Sequence, residues 1–266
     1  MSAPDHDLHR DQPLLTGGVP LDEATAAMIL LHGRGASAQG ILSLVDEFAA
    51  SDVAYLAPQA ARRAWYPRSF LASRDENEPA LTSALSRVGG LVADVQEAGI
   101  PADRTLLLGF SQGGCLAAEY AVQNPQRYGG VIALSGALIG PEGAIDMDPA
   151  AYTGTLDGTP VFLGCSDQDP YIPLERVEET ADLLQALGGE VTKRIYEGMG
   201  HTTNGDEIKH VRAILDRYVS LRRPDSDDED EKSDEEGDGR TIVEEAADEN
   251  RGIDELDDDI DFLRNE

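Results

Sequence analysis

The sequence predicts an α/β fold: a mostly parallel, doubly wound sheet with helices on both faces. Two observations predict it. Short uncharged apolar runs alternate with segments of helical periodicity over residues 24–222. Those runs also lack polar alternation, as strands covered on both faces require. Right-handed crossovers complete such a sheet, and its ligands sit beyond the carboxyl ends of the strands.

Each element follows in order. ATAAMILLHG (24–33) reads as a buried strand, AQGILSLVDEFAA (38–50) as an amphipathic helix and VAYLAP (53–58) as the next strand. A loop rich in aromatics and arginine follows, RRAWYPRSF (62–70), and then a long helix over 79–99, stopped by Gly99 and Pro101. RTLLLGF (104–110) is a strand and QGGCLAAEYAVQN (112–124) a helix. GGVIALSG (129–136) and TPVFLGC (159–165) are strands joined by a Gly/Pro-rich loop. A helix over 172–189, a strand over 190–198 and a helix over 206–222 complete the series.

After Pro224 the periodicity dissolves into DSDDEDEKSDEEGDG, the composition of a disordered segment. The expected organisation is a flexible N-terminus (1–12), one folded domain (13–223) and an acidic tail (224–266). Ile253, Leu256, Ile260 and Leu263 recur at helical spacing, so the tail end is either solvated or a docking segment for an unknown partner.

The chain carries 51 acids against 21 bases, net −30. The tail holds 21 acids and 4 bases, so the remainder is itself acidic at −13. Only Lys193, Lys209 and Lys232 are lysines. This balance fits a halophilic cytoplasm, where salt screens self-repulsion, and argues against nucleic acid as a partner. Cys115 and Cys165 form no metal or redox spacing. No apolar stretch suits a signal peptide or a membrane span. Oligomeric state stays open, a homodimer included.

Three loops carry the chemistry. Gly109-Phe110-Ser111-Gln112-Gly113 is G-x-S-x-G between an apolar strand and a small-residue helix, the setting of a strained nucleophile turn. A serine nucleophile needs a base. His6 and His9 read as solvated N-terminus, His210 as helix surface or packing, and His32 as a loop-shaping residue. His201 remains, in a glycine-rich loop after the last strand. The imidazole needs a carboxylate, and Asp167 and Asp169 both fit; Asp169, before Pro170, is favoured. The chain order Ser111, Asp169, His201 is that of the α/β-hydrolases. Oxyanion donors are expected from the backbone N–H of Gln112 and of Arg34, whose side chain would add a cation at the mouth. Trp65, Tyr66, Phe70, Leu71, Leu138, Ile139, Ile172 and Met199 are candidates for an acyl pocket, with core packing as the plainer reading. No metal or cofactor is called for.

LLHGRGASAQGIL, AWYPRSFLASRDENEPALTSAL, LLLGFSQGG, DQDPYIP and YEGMGHT together resemble the phospholipase/carboxylesterase family, which includes the acyl-protein thioesterases. The resemblance spans Pro13 to Leu221. It implies a compact α/β-hydrolase without a large lid, a Ser111-Asp169-His201 triad, an oxyanion hole at Arg34 and Gln112, and small-molecule ester substrates, with lysophospholipid or thioester as alternatives. The Trp65-Tyr66-Pro67 loop resembles the bacterial and archaeal esterase branch rather than the eukaryotic depalmitoylating one.

Four rival readings fare worse. Gly33-Arg34-Gly35-Ala36-Ser37-Ala38 has dinucleotide-type spacing, but the following strand ends in Ala57-Pro58 without a ribose-binding acid. Asp234 to Glu245 imitates a calcium loop without flanking helices. Cys115 lies a turn beyond the elbow, so it reads as core rather than nucleophile. A non-catalytic ligand-binding module on a hydrolase fold is disfavoured by three intact loops.

Overall fold

The computed structural model describes residues 7–48 and 50–219. The expected tail, its helical-spacing segment, its calcium-like spacing and His6 lie outside these. Seven strands form one sheet in the order β1-β3-β2-β4-β5-β6-β7. They are β1 (Leu14–Gly18), β2 (Ala26–Leu31), β3 (Val53–Pro58), β4 (Thr105–Phe110), β5 (Gly130–Leu134), β6 (Pro160–Ser166) and β7 (Glu190–Tyr196). All pairs are parallel except β1 with β3. β2 to β6 are buried along their whole length, whereas β1 and β7 are part-exposed edges.

Alternate strand residues feed two cores. Ile29, Leu31 and Leu107 pack on one face with Leu91, Leu116 and Val177, from α4 (Ala80–Glu97), α5 (Gln112–Gln123) and α6 (Leu174–Ala186). Met28, Leu30 and Leu108 pack on the other with Ile41 of α1 (Ala38–Leu42), Phe48 of α2 (Val45–Phe48) and Val211 and Leu215 of α7 (Gly205–Val219). A one-turn helix, α3 (Arg74–Asn77), precedes α4. Among the described residues no helix is long and apolar enough to cross a membrane.

Three expectations change. The antiparallel edge β1 went unread. The single helix over 38–50 is two short ones, with Ser43 Oγ donating back to Gly40 O (2.8 Å) at the break. The N-terminus is not wholly flexible: residues 7–11 form a turn and His9 is buried rather than solvated. Its Nε2 donates to Trp65 O (3.0 Å) and its Nδ1 accepts from Ala61 N–H (3.0 Å), so a polar-looking segment is drawn in by backbone groups that need partners.

Strand order reverses between β2 and β4, which places the loops after these two strands side by side at the switch point of the sheet.

Candidate active site

Ser111 joins β4 to α5 at φ +55° and ψ −119°, a strained conformation for a residue with a Cβ. The two glycines of its motif have steric reasons. A Cβ on Gly109 would lie 2.1 Å from Gly113 O, and one on Gly113 would lie 2.0 Å from Leu31 O. The elbow is pinned by Ser111 N–H to Leu134 O (2.8 Å) and Cys115 N–H to Ser111 O (2.9 Å).

His201 lies on the loop from β7 to α7. Its Nε2 is 2.8 Å from Ser111 Oγ and its Nδ1 2.7 Å from Asp169 Oδ2. A proton on Nδ1 donates to the carboxylate and leaves Nε2 to accept from the hydroxyl. Phe110 and Tyr171 flank the imidazole at 5.1 and 4.9 Å between centroids.

Asp169 and Asp167 divide the work. The Asp169 side chain has no exposed surface, and its Oδ1 accepts the N–H groups of Tyr171 (2.9 Å) and Ile172 (3.0 Å). Burial pushes this carboxyl up, but the His201 hydrogen bond, the two N–H groups and the imidazole charge outweigh it and hold it below its ordinary value. Asp167 instead accepts Gly198 N–H (2.8 Å), and Ser166 Oγ accepts Gly200 N–H (3.0 Å), so these two fix the His201 loop.

The residues after His201 were missed in the sequence. Asn204 Oδ1 accepts the N–H groups of Asp206 and Glu207, and Glu207 Oε2 accepts Asn204 N–H (2.9 Å). This reciprocal cap sets where α7 begins and hence where the loop ends. The spacing Asn-x-x-Glu before an apolar run was the sequence signature for it. Glu207 is buried, its Oε1 has no partner, and burial raises its carboxyl to about 7. Gly164 makes the room: a Cβ there would lie 2.1 Å from Glu207 Oε1.

On the other side of Ser111, a Cβ on Gly33 would be 3.4 Å from Ser111 Cβ, so the loop carrying Arg34 abuts the Ser111 side chain. The Arg34 side chain is exposed but tethered. Nη1 donates to Pro67 O (3.0 Å), Nη2 to Arg68 O, and the guanidinium lies 5.9 Å from the Tyr66 ring centroid. The Gln112 side chain is a second unforeseen clamp: Oε1 accepts Trp65 N–H and Nε2 donates to Tyr66 O, both at 2.8 Å. His32 shapes its loop as expected, with Nδ1 donating to Gly33 O (2.7 Å) and Nε2 accepting Ala60 N–H (3.0 Å).

The pocket candidates separate. Trp65 and Tyr66 are fully buried, with Trp65 Nε1 donating to His32 O (2.9 Å), so both anchor their loop in the core. Phe70, Leu138, Ile139 and Ile172 are buried in the same cluster, and Leu71 packs against it half-exposed. Met199 stands apart, its sulfur accepting from Asn204 Nδ2 (2.8 Å). Both cysteines are buried free thiols pushed up to about 12 by burial.

A strained serine at a strand-to-helix elbow, with a histidine and a buried carboxylate in line, defines a serine hydrolase of the α/β-hydrolase fold. The family model for Phospholipase/Carboxylesterase matches residues 19–219, and the chain belongs to that family. Among solved structures, a phospholipase/carboxylesterase from Dyadobacter fermentans is 41% identical, with a TM-score of 0.73 over 77% of this chain and 96% of its own. Acyl-protein thioesterase 1 of Gibberella zeae is 27% identical over 216 residues, 73% of this chain and 91% of that protein. Esterase PE8, 23% identical with a TM-score of 0.63, shares the fold over 78% of this chain and 98% of its own.

Proposed function

We propose that the protein hydrolyses carboxylic esters, thioesters included, through an acyl-enzyme on Ser111. The observation that carries this is the unbroken hydrogen-bonded line from Asp169 Oδ2 through His201 to Ser111 Oγ, with links of 2.7 and 2.8 Å. Ser111 Oγ attacks the carbonyl carbon while His201 Nε2 takes its proton. Asp169 holds the resulting imidazolium, and the N–H groups of Gln112 and Arg34 receive the oxyanion. His201 then protonates the leaving alcohol or thiol. A water, deprotonated by the same nitrogen, attacks the acyl carbon and frees the acid. The names of the relatives, phospholipase/carboxylesterase and acyl-protein thioesterase, support the same bond type.

A fluorophosphonate probe tests the reading. The wild type is expected to label in molar KCl and Ser111→Ala to stay unlabelled, with ester turnover reduced by about 10⁴ to 10⁶. A turnover loss below about tenfold refutes Ser111 as nucleophile.

A further inference from the structure

We propose that the preferred esters carry an anionic group, a carboxylate or a phosphate, received by an arginine rim beside Ser111; this rests on the esterase reading above. Charge placement points to it. The chain has 51 acids against 21 bases, yet no Asp or Glu occurs in residues 24–45 or 53–74. Those two stretches hold five arginines, of which Arg34, Arg62, Arg63 and Arg68 are exposed and Arg74 is half-buried.

The rim is one connected piece. Gly35 N–H donates to Arg63 O (2.8 Å), and Arg63 Nε donates to Ala36 O (3.1 Å). Arg34 reaches the carbonyls of Pro67 and Arg68. Through Gly33 on one side and the Gln112 clamp on the other, this piece is fixed next to Ser111.

These guanidinium groups are available. Among the described residues none of the four has a carboxylate within ion-pair distance, whereas Arg74, further along, is paired with Glu119. Arg68 feels Glu76, but that carboxylate is bound to the N–H and hydroxyl of Ser73. Arg34 uses two of its five N–H donors on carbonyls and keeps three. Asp167 and Glu197 are exposed on the loops that carry Asp169 and His201. The backbone adds an independent observation. Arg62 and Arg63 adopt φ of +53° and +58° in succession, where glycine would be relaxed. Both are non-glycine residues held in a left-handed backbone conformation, the kind of local strain that clusters at ligand sites.

Matched esters give the test. p-Nitrophenyl hexanoate is compared with mono-p-nitrophenyl adipate, and phenyl acetate with 4-acetoxybenzoate and 4-acetoxyphenyl phosphate. The enzymes are the wild type, Arg62→Gln/Arg68→Gln, and Arg68→Gln alone, which leaves the strained pair untouched. The wild type is expected to favour at least one anionic ester by about tenfold in kcat/KM, mainly through KM. The preference should shrink from about 0.2 to 2 M KCl and fall most in the double variant. The arm that responds tells carboxylate from phosphate, and acyl side from alcohol side. Equal kcat/KM for charged and neutral esters, or a preference the variants leave intact, overturns the proposal while the esterase reading stands. No turnover of any ester by a folded protein overturns both.

Discussion

Glu207 offers a test in which the sign and the size both come from the structure. Its carboxyl ionises near 4.5 in an open chain and is raised to about 7 in the fold, chiefly by burial and further by the Asp206 charge, against the opposing Asn204 N–H. Between those values the folded protein holds a proton that the unfolded chain has released, so stability falls as pH rises through this window. At about 1.4 kcal/mol per pH unit the loss is about 3 kcal/mol. Glu207→Gln stays neutral throughout, and its amide oxygen can still accept Asn204 N–H. Urea unfolding of both proteins at constant KCl, from about pH 5 to 8, isolates the effect, because all other groups cancel in the difference. The variant is expected to gain about 2–3 kcal/mol on the wild type across that range. A difference that stays flat to within about 0.5 kcal/mol would mean Glu207 is not buried as a carboxylate, and the reasoning fails.

The remaining predictions need less development. Gly113→Ala should lower stability by about 3 kcal/mol or more, because its Cβ meets Leu31 O at 2.0 Å, while Gly90→Ala, in α4 with nothing within 4 Å, should raise it by about 0.5–1 kcal/mol. Similar melting shifts for the two would contradict this. Asp169→Asn should reduce kcat by about 10⁴ and Asp167→Asn by far less, since only Asp169 touches His201; equal losses would move the orienting role. If the net charge of −30 opposes folding, the melting temperature should climb steeply with KCl, and a flat response from dilute buffer to molar salt counts against the halophilic reading.

The sequence was most legible where burial is two-sided. β2 to β6 are uncharged runs because helices cover both their faces, and each was read within a few residues. β1 escaped because LLTGG is a half-exposed edge ending in two glycines, with too few residues to show a period. Ser111, His201 and the 165–173 loop were legible because each follows a strand that delivers it to the same edge of the sheet. Asp169 was favoured over Asp167 only for its place before Pro170. The two differ only in how the turn aims them, and that is decided when Asp169 Oδ1 closes its own turn onto Tyr171 and Ile172. Gln112 was read for its N–H alone; its side chain acts across 47 residues of sequence, beyond any local pattern.

The 59–68 loop explains why that part was hidden. It has almost no regular structure, yet it packs against the elbow that carries Ser111 and Gln112. Its backbone groups are satisfied instead by side chains from afar: Ala60 N–H by His32, Ala61 N–H and Trp65 O by His9, Trp65 N–H and Tyr66 O by Gln112, and Pro67 O and Arg68 O by Arg34. Two of these four are histidines whose ring must stay neutral, because a second N–H would face the N–H of Ala60 or Ala61. Burial does this first, lowering both imidazoles against the opposing hydrogen bonds to Gly33 O and Trp65 O. Rigidity beside Ser111 therefore comes from polar side chains, buried except for Arg34, rather than from helix or strand. A periodicity reading sees such residues only as scattered His, Gln and Arg.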